Sequence, residues 1–98
     1  MSNFQTHIMG DKPVVVDCFA VWCGPCKMME PVMHEVKDKI GEQATVLKVD
    51  IDKAPAFSQQ YNIVSVPTIM VFKKGKVVWR KSGVTSAGEI LNQIKQAI

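Results

Sequence analysis

The sequence contains no apolar run that approaches the ~20 residues of a membrane-spanning helix. Residues 1–12 lack a basic segment followed by an apolar stretch, so they do not resemble a secretion signal. The formal net charge is only +3, and no aromatic side chains alternate with the basic residues, as they do on many surfaces that bind nucleic acid. These absences predict a cytoplasmic protein that binds neither a membrane nor a nucleic acid.

Cysteine and histidine are scarce, with three and two residues respectively. An odd cysteine count without an export signal favours a catalytic or metal-binding role over a disulfide framework. Cys18, Cys23 and Cys26 match the spacing that begins one type of iron–sulfur site, but the fourth cysteine is lacking. His7 and His34 fall too far from the expected site to complete a zinc set. We therefore expect no metal, and we expect Cys18 to be a buried packing residue, with a secondary redox role as the alternative.

The length of 98 residues suits one domain, which we place at residues 1–98. Residues 14–20 form an apolar run typical of a strand buried on both faces, and residues 24–40 carry apolar side chains at helical spacing. Further along we expect a strand over 44–51, a short helix over 54–61, a hairpin of strands 67–72 and 76–81, and a helix after Ser86; a weaker pattern suggests a helix over 2–9. The β-α-β order requires a parallel pair and the hairpin adds antiparallel strands, so the sheet is mixed.

The most informative motif is Trp-Cys-Gly-Pro-Cys-Lys over residues 22–27, between a buried strand and a helix. The start of a helix offers free backbone N–H groups and the positive end of the macrodipole, which favour a thiolate at Cys23. Cys26 lies one helical turn further on, close enough to attack a mixed disulfide formed at Cys23. A bridge across two residues removes little chain entropy, so it is a poor structural staple.

Three features together resemble the thioredoxin family over nearly the whole chain. They are the motif at residues 22–27, the acid Asp17 six residues before Cys23, and Val66-Pro67-Thr68 at the third strand. The resemblance implies an α/β thioredoxin fold, in which a central mixed sheet of four strands, or five, is flanked by helices. Many members of the family begin with an additional β-strand, and we expect this chain to be too short to contain it. We therefore expect residues 44–51 to form an exposed edge, and we weigh weak self-association against the monomer that we favour.

The resemblance also implies roles for individual side chains. Cys23 is the attacking nucleophile and Cys26 the resolving thiol. Gly24 and Pro25 between them, together with Trp22, tune the redox poise. Asp17 is a buried acid and base whose pKa should be raised by burial. Lys48 is expected either to tune the pKa of Asp17 or merely to extend its charge to solvent.

A substrate groove is implied beside the two cysteines. Val66 and Pro67 correspond to the cis-proline turn of the family, which faces the disulfide and leaves the backbone of Val66 to pair with an extended client strand. Trp22 lies beside the same groove. Gly83 and Val84 are expected to border it, with an ordinary turn glycine as the alternative for Gly83.

The resemblance thus predicts a protein-disulfide reductase that takes part in electron transport and cell redox homeostasis. Its redox-active disulfide is Cys23–Cys26, with no bound cofactor, and NADPH enters only indirectly through a thioredoxin reductase. The other partners are client proteins that contain disulfides. Two alternatives remain, a redox-independent interaction module or subunit with this fold and an oxidising or isomerising relative, which the Gly-Pro dipeptide opposes. Cys18, Phe19 and Val21 differ from residues usual in the family, and the changes at Cys18 and Val21 should affect partner choice.

Overall fold

The computed structural model describes residues 8–98, so the helix expected over residues 2–9 falls almost wholly outside them. The strands are β1 (Val14–Phe19), β2 (Thr45–Asp50), β3 (Thr68–Lys73) and β4 (Lys76–Ser82). The helices are α1 (Gly24–Ile40), α2 (Pro55–Gln60) and α3 (Ala87–Ala97), and a 3₁₀ turn over Gly41–Gln43 follows α1. The element order predicted from the sequence for this part of the chain is therefore confirmed.

The four strands form one mixed sheet in the order β2-β1-β3-β4. β1 and β2 are parallel and are joined through α1, whereas β3 is antiparallel to both β1 and β4. Lys74 and Gly75 make the turn of the β3–β4 hairpin, and both have positive φ, as tight hairpin turns require. The predicted thioredoxin fold with a four-stranded mixed sheet is confirmed.

The central strand β1 is buried because both faces of the sheet are covered. Val15 joins an apolar cluster with side chains of α1 and α3, whereas Val14 and Val16 join a second cluster that includes Phe57 of α2. Successive side chains of a strand point to opposite faces, so this alternation places Asp17 on the α1 side of the sheet and Cys18 on the α2 side. The carboxyl end of β1 then leads directly into the start of α1.

β2 forms one end of the sheet among residues 8–98, where it pairs with β1 alone. Most of its side chains are only half-buried, in contrast to those of β1. The edge position predicted for this strand is thus confirmed within the described part of the chain, and self-association through it stays a prediction. Across residues 8–98, the structure holds no helix with the length and apolarity that a membrane crossing requires.

Candidate active site

The centre of the site is a disulfide between Cys23 and Cys26, with 5.3 Å between their Cα atoms. Cys23 is the N-cap of α1, and its Sγ accepts a hydrogen bond from the backbone N–H of Cys26 at 3.1 Å. The first turn of α1 contains no acidic residue, and Pro25 fits there because its missing N–H breaks no helical bond. In the reduced state, the same N–H donor and the positive helix end favour a thiolate at Cys23.

A nucleophile between a strand and the start of a helix would be expected to expose its sulfur, but Cys23 is buried in this disulfide form. Cys23 is 5% exposed, the same fraction as Cys26, so neither cysteine is the more accessible. The bond to Cys26 holds the sulfur of Cys23 against the helix, and the two cysteines pack with Ala20 while Val66 covers them in part. In this form the sulfur of Cys23 is therefore shielded from solvent by its immediate neighbours.

Trp22, next to the disulfide, has a large exposed side chain, with 68% of its surface accessible. Its indole Nε1 donates a hydrogen bond to Oδ2 of Asp52 at 2.8 Å. The backbone N–H of Asp52 in turn donates to Oδ1 of Asp50 at 2.9 Å. Sequence reasoning missed Asp52, although its place directly beyond β2, at the sheet edge where β1 also ends, was an available signal.

The loop before β3 lies against the disulfide. The Val66–Pro67 peptide bond is cis, as predicted, and the carbonyl oxygen of Val66 lies 3.6 Å from Sγ of Cys23. In the disulfide form Sγ has no hydrogen to donate, so this is a packing contact. The N–H of Gly83 donates to the carbonyl of Pro67 at 2.8 Å, and Val84 beside it is 45% exposed. The structure thus brings together the residues expected to border the groove.

Asp17 is almost completely buried, with 1% of its surface exposed. Its Oδ1 has no hydrogen-bond partner among residues 8–98. Burial raises the pKa of Asp17 from 3.8 to about 6, the positive charge of Lys48 lowers it in part, and the negative charge of Glu30 raises it further. The expectation of a buried acid with a raised pKa is confirmed, and burial is its main cause.

Lys48 stands opposite Asp17 in the parallel β1–β2 ladder. Its Nζ lies 4.6 Å from the centre of the Phe19 ring, which is a cation–π contact. From there its charge acts on the carboxyl of Asp17, in the direction expected of a tuning residue. Both alternatives considered for Lys48 therefore hold in part, because the side chain is exposed to solvent and yet lowers the pKa of Asp17.

Cys18 is fully buried on the opposite face of the sheet from Asp17, with its Sγ 4.0 Å from Sδ of Met70. Burial and the charge of Asp17 raise the pKa of the Cys18 thiol to about 12, so it stays neutral. Its predicted place in the core is confirmed. Within the described range no group of three or more His, Cys, Asp or Glu side chains is placed to hold a metal ion.

Comparison with known proteins agrees with this geometry. A family model described as Thioredoxin matches residues 1–96. A thioredoxin-like protein of Synechocystis is 43% identical over 95 residues, which cover 96% of this chain and 90% of that protein. The thioredoxin of Alicyclobacillus acidocaldarius is 39% identical over 97 residues, covering 99% and 92%. The solved structure of a mutant thioredoxin from Halobacterium salinarum is similar with a TM-score of 0.89 and 28% identity, covering 99% of this chain and 84% of the other.

Proposed function

The chain belongs to the thioredoxin family, and from that premise we propose how its residues divide the work of reducing a protein disulfide. It is a thiol–disulfide oxidoreductase with a redox-active disulfide. We assign the attack to Cys23, the resolution to Cys26, the proton exchange to Asp17 and the binding of the client to the groove beside Val66. The observation that carries the proposal is the Cys23–Cys26 disulfide at the start of α1, with the cis-proline loop 3.6 Å from one sulfur.

In the first step, the thiolate of reduced Cys23 attacks one sulfur of a client disulfide. A bond forms between Cys23 and that sulfur, the client disulfide breaks, and the other client sulfur leaves as a thiolate that takes a proton from solvent. The client strand lies along Val66 and Pro67 in this step. Backbone pairing of that kind holds a strand without selecting its sequence, which suits a reductase of many clients.

In the second step, Cys26 releases the client. Its thiol proton passes to the carboxylate of Asp17, its sulfur forms the bond to Cys23, and the bond between Cys23 and the client breaks. The client leaves as a dithiol after taking up a second proton, and the protein is left as the disulfide. Two electrons have passed from the protein to the client.

The dithiol must then be restored. We propose that a thioredoxin reductase supplies two electrons from NADPH, so that no cofactor binds to this chain itself. We further propose that residues 1–98 act as one domain in the cytoplasm, mainly as a monomer, with disulfide-containing proteins as clients. Support for these partners comes from the family that the chain belongs to.

The experiment that tests the proposal is catalysed reduction of insulin by dithiothreitol, with wild type, Cys23→Ser and Cys26→Ser compared. We expect rapid turnover in wild type and none in Cys23→Ser, because the attacking thiolate is gone. Cys26→Ser should form mixed disulfides with client proteins that persist on non-reducing gels. Recovery of no mixed disulfide from the folded variant would contradict the role of Cys26 as the resolving thiol.

The same variants separate this function from a redox-independent interaction module. The apolar side chains of Val21, Trp22 and Val84 are exposed, and they could contact either a client or a permanent partner. If a strain that lacks this protein recovers its phenotype with the Cys23→Ser, Cys26→Ser double variant, the chain acts as a binding module. Loss of recovery, with the variant folded, supports the reductase.

A further inference from the structure

Two cavities of about 260 Å³ each share Glu30 and Lys48 in their walls. Asp17 lines the first cavity and Cys26 lines the second. The two groups that exchange a proton in the proposed resolution step therefore face the same pair of opposite charges. Glu30 has no part in the mechanism so far, and neither the motif nor the family resemblance pointed to it.

The placement of Glu30 follows from the helix. Cys26, Glu30 and His34 recur every four residues on α1, so they lie along one face of it. That face of α1 lies next to the carboxyl halves of β1 and β2, where Asp17 and Lys48 are paired in register. The charged or titratable side chains that line the two cavities are Asp17 from β1, Lys48 from β2, and Cys26, Lys27, Glu30, His34 and Lys37 from α1.

The pKa of Asp17 is sensitive to these charges because its carboxyl group is buried. It is 1% accessible and one of its oxygens lacks a hydrogen-bond partner within the described chain, so little protein or solvent stabilises its charge. A carboxylate in such a place responds strongly to neighbouring charges. Lys48 lowers the pKa of Asp17 and Glu30 raises it, although both side chains line the same two cavities.

We propose that Glu30 is a positioning residue for proton exchange at Asp17, where it opposes Lys48 and keeps the buried carboxylate basic enough to take the proton of Cys26. The inference rests on the role of Asp17 proposed above. During resolution the S–H bond of Cys26 breaks, the proton joins Asp17, and the sulfur attacks Cys23 as described. Glu30 neither gives nor takes a proton; its negative charge makes the ionised form of Asp17 less favourable and so strengthens it as a base.

The test is carbon-13 NMR of the Asp17 carboxyl carbon against pH in the disulfide form. In Glu30→Gln, which keeps the size of the side chain, the midpoint should fall by roughly half a pH unit, the effect of one charge across a partly solvated cleft. Lys48→Gln should raise it, and the double variant should return toward wild type. Glu30→Asp should retain most of the wild-type value, and the Glu30→Gln shift should shrink at high salt.

The matched control is Glu35→Gln, on the same helix, whose carboxylate pairs with Lys39 at 2.9 Å on the exposed surface. It should leave the Asp17 midpoint in place. The acid limb of the resolution rate, measured by release of a mixed disulfide, should move to lower pH in Glu30→Gln and not in the control. These paired shifts would support the inference.

Three results would overturn it: an Asp17 midpoint in Glu30→Gln equal to that of the control, a shift toward higher pH, or a shift that follows His34→Gln in place of Glu30→Gln. A failure of the proposed function looks different. If Asp17→Asn leaves the pH dependence of resolution unchanged, Asp17 is not the proton acceptor, whatever its titration shows. An unmoved titration in Glu30→Gln counts against Glu30 alone.

Discussion

Replacing Asp17 with asparagine should stabilise the fold at neutral pH. Burial raises the pKa of Asp17 from 3.8 to about 6, so the folded protein holds this carboxyl proton more tightly than the unfolded chain does. A rise of about two units at about 1.4 kcal/mol each corresponds to a cost of about 3 kcal/mol when the group is ionised. Asparagine resembles the protonated carboxyl in shape and polarity and has no charge to bury, so Asp17→Asn removes that cost.

The sign of the pH dependence follows from the direction of the shift. Below about pH 4 the carboxyl is protonated in both states, and the charge contributes nothing. As the pH rises from about 4 to about 6, the unfolded chain ionises first and the folded state loses stability. Above about pH 6 the full cost is present. The free energy of unfolding of Asp17→Asn should therefore exceed that of wild type only slightly near pH 4 and by about 3 kcal/mol near pH 8.

Urea unfolding of the disulfide form at several pH values measures this difference directly, since the slope with denaturant gives the free energy of unfolding. The melting temperature near pH 8 should rise on the order of 10–20 °C, because a domain of this size gains roughly 4–8 °C per kcal/mol. The control is Asp38→Asn, an exposed carboxylate on α1. An equal advantage at both ends of the pH range, or a wild type that is the more stable near pH 8, would refute a buried unpaired charge at Asp17.

Two further substitutions test the surroundings of the site. Cys18→Ala should leave insulin turnover nearly intact and lower the unfolding free energy by about 1–2 kcal/mol, because the side chain is fully buried and only packs; a large loss of turnover at unchanged folding would reveal a chemical role. Gly83→Ala should cost about 1 kcal/mol of stability, because Gly83 has φ +94 although an added Cβ would meet no atom within 4 Å. Unfolding curves measure this loss, and an unchanged stability would contradict a positive φ at this position, which strains alanine but not glycine.

Features that depend on local chemistry could be predicted from the sequence. The bounds of α1 at Gly24 and Ile40 follow from Pro25 in the first turn and from Gly41 just beyond the helix, where φ is +58. The burial of Asp17 follows from the uninterrupted apolar run around it. In both cases the deciding residues are neighbours in the chain, so no knowledge of the fold is needed.

Features that depend on contacts between distant elements could not be predicted with the same success. The sequence Ser86-Ala87-Gly88-Glu89 matches a capping box, and the N–H of Glu89 does donate to Oγ of Ser86 at 3.2 Å. The carboxylate of Glu89, however, pairs with Lys81 of β4 at 2.9 Å, because the folded sheet brings that lysine within reach. The bond from Trp22 to Asp52 likewise joins residues 30 positions apart through the geometry of a loop.

Glu30 combines a feature that depends on neighbours in the chain with one that depends on contacts between distant elements. Its spacing of four from Cys26 was visible in the sequence and places both on one face of a helix. What the sequence lacked was the register of β1 against β2, which sets Lys48 beside Asp17 and so gives that helix face two charges of opposite sign to meet. A surface carboxylate thus becomes relevant to the site only after the sheet has been assembled.

The energetic cost of Asp17 is itself an argument for its role. A small domain is stable by only about 5–15 kcal/mol, so a burial cost of about 3 kcal/mol is a large share for one side chain. Asparagine would fill the same space without the charge, and packing therefore gives no reason for an acid at this position. The reason that remains is chemical: with its pKa near 6, Asp17 is ionised at neutral pH and is still a stronger base than an ordinary carboxylate. The opposed charges of Lys48 and Glu30 adjust the pKa of Asp17. Because both side chains are exposed, they can be substituted with little effect on the packing of the core.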